Sequence, residues 1–170
     1  MTNNGLPDAE SLFADLKAQM APAIAYDAKL VGVFSGGAWL ADRLAAELDG
    51  AHDVGYIDVS FYRDDLSTSG LKNNVRSTQI PFSVEGAHIV IVDDVLFTGR
   101  SIRAAVNTLF DYGRPASIQL AVLVDRGGRE LPIAADYVGA PLIVARALML
   151  ALSKDDAGKF ALTTEPWNPR

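Results

Sequence analysis

The stretch HIVIVDDVLFTGRS, residues 88–101, joins an apolar run to two adjacent acids and then to a Thr-Gly-Arg-Ser turn. Apolar residues follow one another from Ile89 to Val92, which is typical of a strand that is covered on both faces. The residues after the turn predict a helix over 99–112. The stretch therefore predicts a strand, a turn and a helix in succession, which is the unit that α/β folds repeat.

Helical and strand patterns alternate on both sides of this stretch. The further predicted elements are helices over 8–21 and 38–48 and strands over 29–34, 53–62 and 117–125. At the C-terminus, ALMLAL (147–152) and FALTTE (160–165) flank a polar turn and predict an antiparallel hairpin. We therefore expect an α/β fold with a doubly wound, mainly parallel sheet and a C-terminal β-hairpin, in one domain over residues 1–170.

The composition of the chain excludes several classes of site. The 170 residues carry a net charge of -6 and a sequence pI of about 4.8, whereas general nucleic-acid binders usually carry a basic excess. The sequence has no cysteine, which rules out disulfides and thiolate metal sites. Neither a secretory signal nor a run of roughly 20 apolar residues is evident. We therefore expect a protein of the cytoplasm.

The acids and the turn after the predicted strand suit two parts of one ligand. The free N–H groups at the start of a helix favour an anion such as phosphate, and Gly99 lets the backbone approach it closely. Thr98 and Ser101 add hydroxyl donors. Asp93 and Asp94 can accept hydrogen bonds from vicinal hydroxyls or help to hold a cation. The pattern predicts a ribose 5-phosphate ligand, and its structural alternative is an ordinary strand end and helix cap.

The string VIVDDVLFTGRSIRAA (90–105) resembles the phosphoribosyl pyrophosphate (PRPP) motif of the type I phosphoribosyltransferases. Three further segments narrow the resemblance to the PyrR family, and they are YRDDLS (62–67), IPF (80–82) and GRPASIQLAVLVDRGGRELPIAADYVG (113–139). PyrR proteins are pyrimidine operon attenuation regulators that are also uracil phosphoribosyltransferases. The resemblance implies a type I phosphoribosyltransferase fold that forms UMP and diphosphate from uracil and PRPP, in a homodimer or larger homo-oligomer. It also implies Mg²⁺ carried with PRPP and no metal site of the protein's own.

The resemblance implies a role for each matching residue of the motif. Asp93 and Asp94 would bind the ribose hydroxyls and act in catalysis together with Arg63, and the turn would bind the 5-phosphate. The residues implied in PRPP binding are Asp93, Asp94, Val95, Leu96, Phe97, Thr98, Gly99, Arg100 and Ser101.

Three other segments complete the implied site. Tyr62 and Arg63 would begin a flexible lid, and the polar span 63–79 suits such a loop. The implied pyrimidine-binding residues are Asp125, Arg126 and Gly127. The implied diphosphate loop is Ser35, Gly36 and Gly37.

Three positions depart from the family pattern. Gly36 stands where the family usually has an arginine expected to touch diphosphate, and losing one such donor can cost about 10²–10³ in rate. Gly128 and Ala134 stand where the family usually has histidine and arginine. RNA affinity depends on neutralising phosphates, so RNA binding is disfavoured. Three functions therefore remain open: the uracil transferase, an RNA-binding regulator, and a nucleotide sensor that has lost both activities.

Overall fold

Five parallel strands form the central sheet of the computed structural model, which describes residues 5–60 and 77–167. The strands are β1 (Lys29–Val33), β2 (Val54–Ile57), β3 (His88–Leu96), β4 (Ser117–Asp125) and β5 (Tyr137–Pro141). Their spatial order is β2-β1-β3-β4-β5, and all neighbours pair in parallel. The direction of winding changes between β1 and β3, and ligands of such sheets bind beyond the carboxyl ends of the strands at that point.

In the described part of the chain, three helices cover the two faces of this sheet. Helices α1 (Ala9–Met20) and α2 (Gly36–Glu47) pack on one face, and α3 (Arg100–Tyr112) packs on the other. Strand β3 shows why its apolar run has no alternation. Its even-numbered residues Val90 and Val92 belong to the core under α1 and α2, whereas Ile89 and Ile91 belong to the core under α3. The expected doubly wound α/β sheet is thereby confirmed.

The C-terminal hairpin is also confirmed. Strands β6 (Leu148–Lys154) and β7 (Phe160–Pro166) pair antiparallel as a separate two-stranded sheet. The hairpin rests on α1, where the rings of Phe13 and Phe160 meet edge to face with centroids 5.8 Å apart. Within residues 5–60 and 77–167, no helix combines the length and the apolar character needed to cross a membrane.

The structure differs from the sequence prediction at four elements. Strand β2 ends at Ile57 rather than 62, and α2 begins at Gly36 rather than 38. Strand β3 continues to Leu96 because its pairing with β4 continues as far as Leu96 and Asp125, so the acids lie inside the strand. Strand β5 was not predicted, because Gly139 and Pro141 belong to residue types that are depleted in strands.

Arg43 of α2 connects the two helices of one face with the hairpin. Its guanidinium pairs with Glu10 at 2.8 Å and with Glu47 at 2.9 Å. It also lies over the rings of Phe13 and Phe160, at 4.4 and 5.1 Å from their centroids. Glu10 in turn accepts the backbone N–H of Phe160 at 2.7 Å. The hydrogen bond from Arg43 is the main reason that the pKa of Glu10 lies below its ordinary value.

We expect this pairing to make stability depend on pH in the acid range. A carboxyl whose pKa is lowered by folding stabilises the protein above its unfolded pKa, which is 4.5 for Glu10, and loses that effect as the pH falls through the folded pKa. Glu10→Gln should therefore flatten the fall in the free energy of unfolding below about pH 4.5. Urea unfolding at several pH values measures this, with the exposed Asp15→Asn as the control. Parallel curves for Glu10→Gln and wild type would contradict the prediction.

Candidate functional site

The acid pair lies at the carboxyl end of β3, in the middle of the sheet. Asp93 is buried and Asp94 is half-buried. One oxygen of Asp93 accepts the N–H of Asp94 at 2.9 Å, and one oxygen of Asp94 accepts the N–H of Val95 at 3.0 Å. These backbone donors offset part of the desolvation of the carboxylates and fix their orientation. The acids are thus held at the point where the fold favours a ligand.

The turn after β3 exposes backbone donors at the start of α3. Gly99 has a φ of +94°, a left-handed conformation that favours glycine. The hydroxyl oxygen of Thr98 accepts the N–H of Arg100, the first residue of α3, at 3.3 Å. Thr98 is buried, and its carbonyl accepts the N–H groups of Glu130 and Leu131 at 2.9 and 3.2 Å. These two hydrogen bonds from the segment after β4 therefore hold the turn in place. The first N–H groups of α3 lie directly after it, as an anion site requires.

The side chain of Arg100 pairs with Glu130. The guanidinium lies 2.8–2.9 Å from one carboxylate oxygen, and both side chains are about half exposed. The backbone of Arg100 belongs to the turn, whereas its charge is shared with this carboxylate. Exposed pairs of this kind contribute about 0–1 kcal/mol, so a phosphate in the turn competes with Glu130 at little cost. The sequence did not indicate this pairing, because the two residues are 30 positions apart in the chain.

The expected diphosphate loop lies against the acid pair. Gly36 and Gly37 form the first turn of α2, directly after β1. A Cβ on Gly36 would lie 2.5 Å from a carboxylate oxygen of Asp94, and a Cβ on Gly37 would lie 2.3 Å from the carbonyl oxygen of Val92. The structure thus brings together two motifs that are far apart in sequence. It also leaves no space for the arginine of the family pattern while Asp94 keeps this position.

An aromatic pair supports Phe34, which precedes this loop. The rings of Phe34 and Tyr56 stack with centroids 5.4 Å apart, and the Tyr56 hydroxyl donates to Asp42 of α2. Burial, and then this hydrogen bond, raise the pKa of Tyr56 to about 12. The backbones of Tyr56 and Gln79 exchange hydrogen bonds of 2.7 and 2.8 Å, so residue 79 lies at the edge of the sheet beside the loop. The lid residues Tyr62 and Arg63 lie outside the described residues.

The segment after β4 is fastened to the end of β3. Asp125 accepts hydrogen bonds from Arg129 and from the N–H of Gly127. Burial would raise the pKa of Asp125, but these donors outweigh it and leave the pKa below its ordinary value. Arg129 also donates to the carbonyl of Phe97 at 3.0 Å. Asp125 and Gly127, to which the resemblance assigns the pyrimidine, therefore lie next to the end of β3.

Arg126 is buried, and its guanidinium is directed at the hairpin. It donates to the carbonyls of Leu148 at 2.9 Å, Ala145 at 3.3 Å and Val144 at 3.4 Å. It also lies 4.1 Å from the centroid of the Phe97 ring. Burial lowers the pKa of this guanidinium. The resemblance assigns three residues to the pyrimidine pocket, and Arg126 is the one of them whose side chain donates hydrogen bonds to backbone carbonyls of the protein.

A cavity of about 130 Å³ lies beside the turn. Its lining residues are Phe97, Thr98, Gly128, Glu130, Arg146 and Trp167. The rings of Trp167 and Phe97 meet edge to face. The sequence did not reveal this contact, because Phe97 follows the end of β3 and Trp167 follows the end of β7. Among the residues that the structure describes, no group of three His, Asp or Glu side chains could hold a metal ion.

Comparison with known proteins agrees with this architecture. The phosphoribosyl transferase domain family matches residues 9–147. A solved hypoxanthine-guanine phosphoribosyltransferase from Bacillus anthracis has a similar fold, with a TM-score of 0.65 at 18% identity over 81% of this chain and 83% of that one. A hypoxanthine phosphoribosyl transferase from Trypanosoma cruzi aligns with a TM-score of 0.61 at 25% identity, over 82% of this chain and 78% of that one.

Curated relatives narrow the family. The bifunctional protein PyrR of Ralstonia nicotianae is 49% identical over 160 residues, which cover 92% of this chain and 91% of the relative. The bifunctional protein PyrR of Pseudomonas entomophila is 50% identical over 131 residues, which cover 77% and 76%. Since about half of the aligned residues are identical over most of both chains, this chain belongs to the PyrR family of the phosphoribosyltransferases.

Proposed function

We propose that the chain is a uracil phosphoribosyltransferase that converts uracil and PRPP to UMP and diphosphate. The contact between Asp94 and Gly36 carries this proposal, because it joins the acid strand to the expected diphosphate loop. The turn at Thr98 continues the same strand. Acceptors for ribose hydroxyls, donors for a 5-phosphate and donors for a diphosphate therefore adjoin one another at one edge of the sheet. PRPP carries all three groups on one sugar.

Each part of the site has a distinct task in this reaction. The turn and the acids hold the ribose, and uracil N1 attacks the anomeric carbon while the bond from that carbon to diphosphate breaks and the N1 proton leaves to the solvent. Positive charge develops on the ribose ring, and the carboxylates of Asp93 and Asp94 stabilise it. The N–H groups of Gly36 and Gly37, at the positive end of α2, receive the negative charge of the leaving diphosphate.

Magnesium fits this site as an ion that PRPP brings with it. The carboxylates of Asp93 and Asp94 are hard oxygen ligands of the kind that Mg²⁺ prefers, but two carboxylates with backbone donors on them do not form a full protein cage. When bound, the ion neutralises charge on the diphosphate. We include Mg²⁺, a homodimer or larger homo-oligomer, and a cytoplasmic location in the proposal.

RNA binding is the second candidate function. The relatives named bifunctional favour it, because that name indicates two activities in those proteins. The net charge of -6 opposes it, as does the lack of a side chain at Gly128 and of a cation at Ala134. Arg129 is engaged with Asp125 and with the carbonyl of Phe97. We therefore place catalysis first.

Incubation of the chain with PRPP, Mg²⁺ and uracil tests the proposal. UMP and diphosphate should form in equal amounts, and hypoxanthine and guanine in parallel reactions should give far less product. A preference for a purine would overturn the assignment of uracil. If PRPP binds and no base is used, the nucleotide sensor is the correct function.

A further inference from the structure

Phe97 lies at the joint between β3 and the turn, and side chains from two other parts of the chain contact its ring. The guanidinium of Arg126 lies 4.1 Å from the ring centroid. The ring of Trp167 meets it at 85°, with centroids 6.4 Å apart. We call Arg126, Phe97 and Trp167 the Phe97 cluster. Gly128 makes room for it, because a Cβ on Gly128 would lie 2.5 Å from the Phe97 ring.

Both ends of the hairpin meet at the Phe97 cluster. Arg126 donates to Val144, Ala145 and Leu148, where β6 begins. Trp167 follows the end of β7, and its backbone N–H donates to the carbonyl of Ala147 at 2.7 Å. The described residues include no ion pair of Arg126 with a carboxylate, so these carbonyls and the Phe97 ring fix the position of its guanidinium. The hairpin and Phe97 are thus rigidly connected.

Phe97 is also connected to the turn. It precedes Thr98 directly, and its own carbonyl is held by Arg129 at 3.0 Å. The rings of Phe97 and Trp167 line the cavity of about 130 Å³ together with Thr98 of the turn. A change in the position of the Phe97 ring would therefore shift the peptide that begins the turn. The cavity leaves room for such a shift when Trp167 is removed.

We propose that Trp167 is a positioning residue for the binding of the 5-phosphate. It keeps the ring of Phe97 edge-on, which keeps Thr98 and the N–H groups that follow it in the geometry that the anion requires. Trp167 acts through Phe97 and does not touch the substrate. The inference rests on the proposed function in one respect: it takes the 5-phosphate of PRPP or UMP as the anion in the turn. Its effect is therefore confined to ligands that carry this group, and uracil alone is unaffected.

Steady-state kinetics of Trp167→Ala test this role. The KM for PRPP should rise about 3- to 10-fold, the loss expected from one aromatic pair, while kcat and the KM for uracil stay within about 2-fold. Trp167→Phe retains an aromatic edge and should restore most of the affinity for PRPP. Trp39→Phe changes the other tryptophan and is the control. An unchanged KM for PRPP, or an equal rise in the KM for uracil, would overturn the inference.

Fluorescence provides a second test, which does not depend on the folding of Trp167→Ala. In Trp39→Phe, Trp167 is the remaining tryptophan of the chain. UMP and PRPP should change its emission in a saturable way, and uracil alone should not. Calorimetric binding of UMP without any change in this emission would overturn the inference. If wild type forms no UMP, the proposed function fails, but this titration still decides the inference. If neither PRPP nor UMP binds, both fail.

Discussion

Replacing Asp93 and Asp94 together by asparagine should abolish PRPP binding and leave the fold intact. The amide oxygens can still accept the N–H groups of Asp94 and Val95 that the carboxylates accept now. The negative charge that stabilises the ribose ring in the transition state is lost, and we expect turnover to fall by at least about 10²–10³. Stability should be unchanged or raised, because the burial of a charged carboxylate is costly. Calorimetric titration with PRPP and Mg²⁺, the UMP assay and thermal unfolding measure these three effects.

The control for this pair removes a carboxylate at the other end of the strands, where their amino ends lie. Asp27 is exposed and precedes the first residue of β1, so Asp27→Asn should bind PRPP like wild type. Normal binding of PRPP by the double variant would mean that the ribose lies elsewhere, and the assignment of the site would be wrong. Titration of the single variants Asp93→Asn and Asp94→Asn then gives the contribution of each carboxylate to PRPP binding. Asp93 is buried, and Asp94 is half-buried.

Alanine at the two adjacent glycines that start α2 should have different effects: Gly37→Ala should mainly lower the stability, and Gly36→Ala should mainly lower the activity. In Gly37→Ala the new methyl group meets the carbonyl oxygen of Val92 at 2.3 Å, and backbone cannot move aside easily. We expect a loss of at least about 3 kcal/mol in the free energy of unfolding, at the upper end of overpacking costs. In Gly36→Ala the methyl group meets a carboxylate oxygen of Asp94 at 2.5 Å and the Cβ of Asp94 at 2.9 Å, so the carboxylate must turn away and the backbone must also shift slightly. We expect a smaller loss of stability than in Gly37→Ala, whereas kcat/KM should fall about 10- to 100-fold because the carboxylate is displaced.

Arginine at position 36 tests the same contact more severely. The family pattern has arginine there, and by that pattern alone its introduction would supply the missing cation for diphosphate. Because the side chain would displace Asp94, we expect Gly36→Arg to be less active than wild type. Urea unfolding and the UMP assay on the three variants, Gly36→Ala, Gly36→Arg and Gly37→Ala, provide the comparison. A gain of activity in Gly36→Arg would contradict the account of this contact.

The sequence predicted those parts of the fold that depend on local pattern. The uninterrupted apolar residues before Asp93 indicated a strand covered on both faces, and both cores indeed meet there. The polar turn at 153–159 between two apolar runs indicated the hairpin. Gly99 and the helix start after it indicated an anion site, and the acids indicated acceptors for vicinal hydroxyls, because the relevant groups are close in sequence. These inferences needed no knowledge of tertiary contacts.

Contacts between distant segments could not be predicted in this way. The sequence showed that Gly36 departs from the family pattern, but not that the carboxylate of Asp94 lies in the space of its missing side chain. The resemblance assigned Arg126 to the pyrimidine, but the sequence did not show that its guanidinium donates to carbonyls of the hairpin. The sequence did not reveal the contact between Trp167 and Phe97 either, because that contact depends on how the hairpin packs against the sheet.

A crystal structure of the chain with UMP tests the assignment of the site most directly. We predict the phosphate at the N–H groups that follow Thr98 and the ribose hydroxyls at Asp93 and Asp94. The uracil ring should lie beside the segment Asp125–Gly127. UMP bound away from the carboxyl end of β3, or with its ribose hydroxyls touching neither acid, would contradict the account.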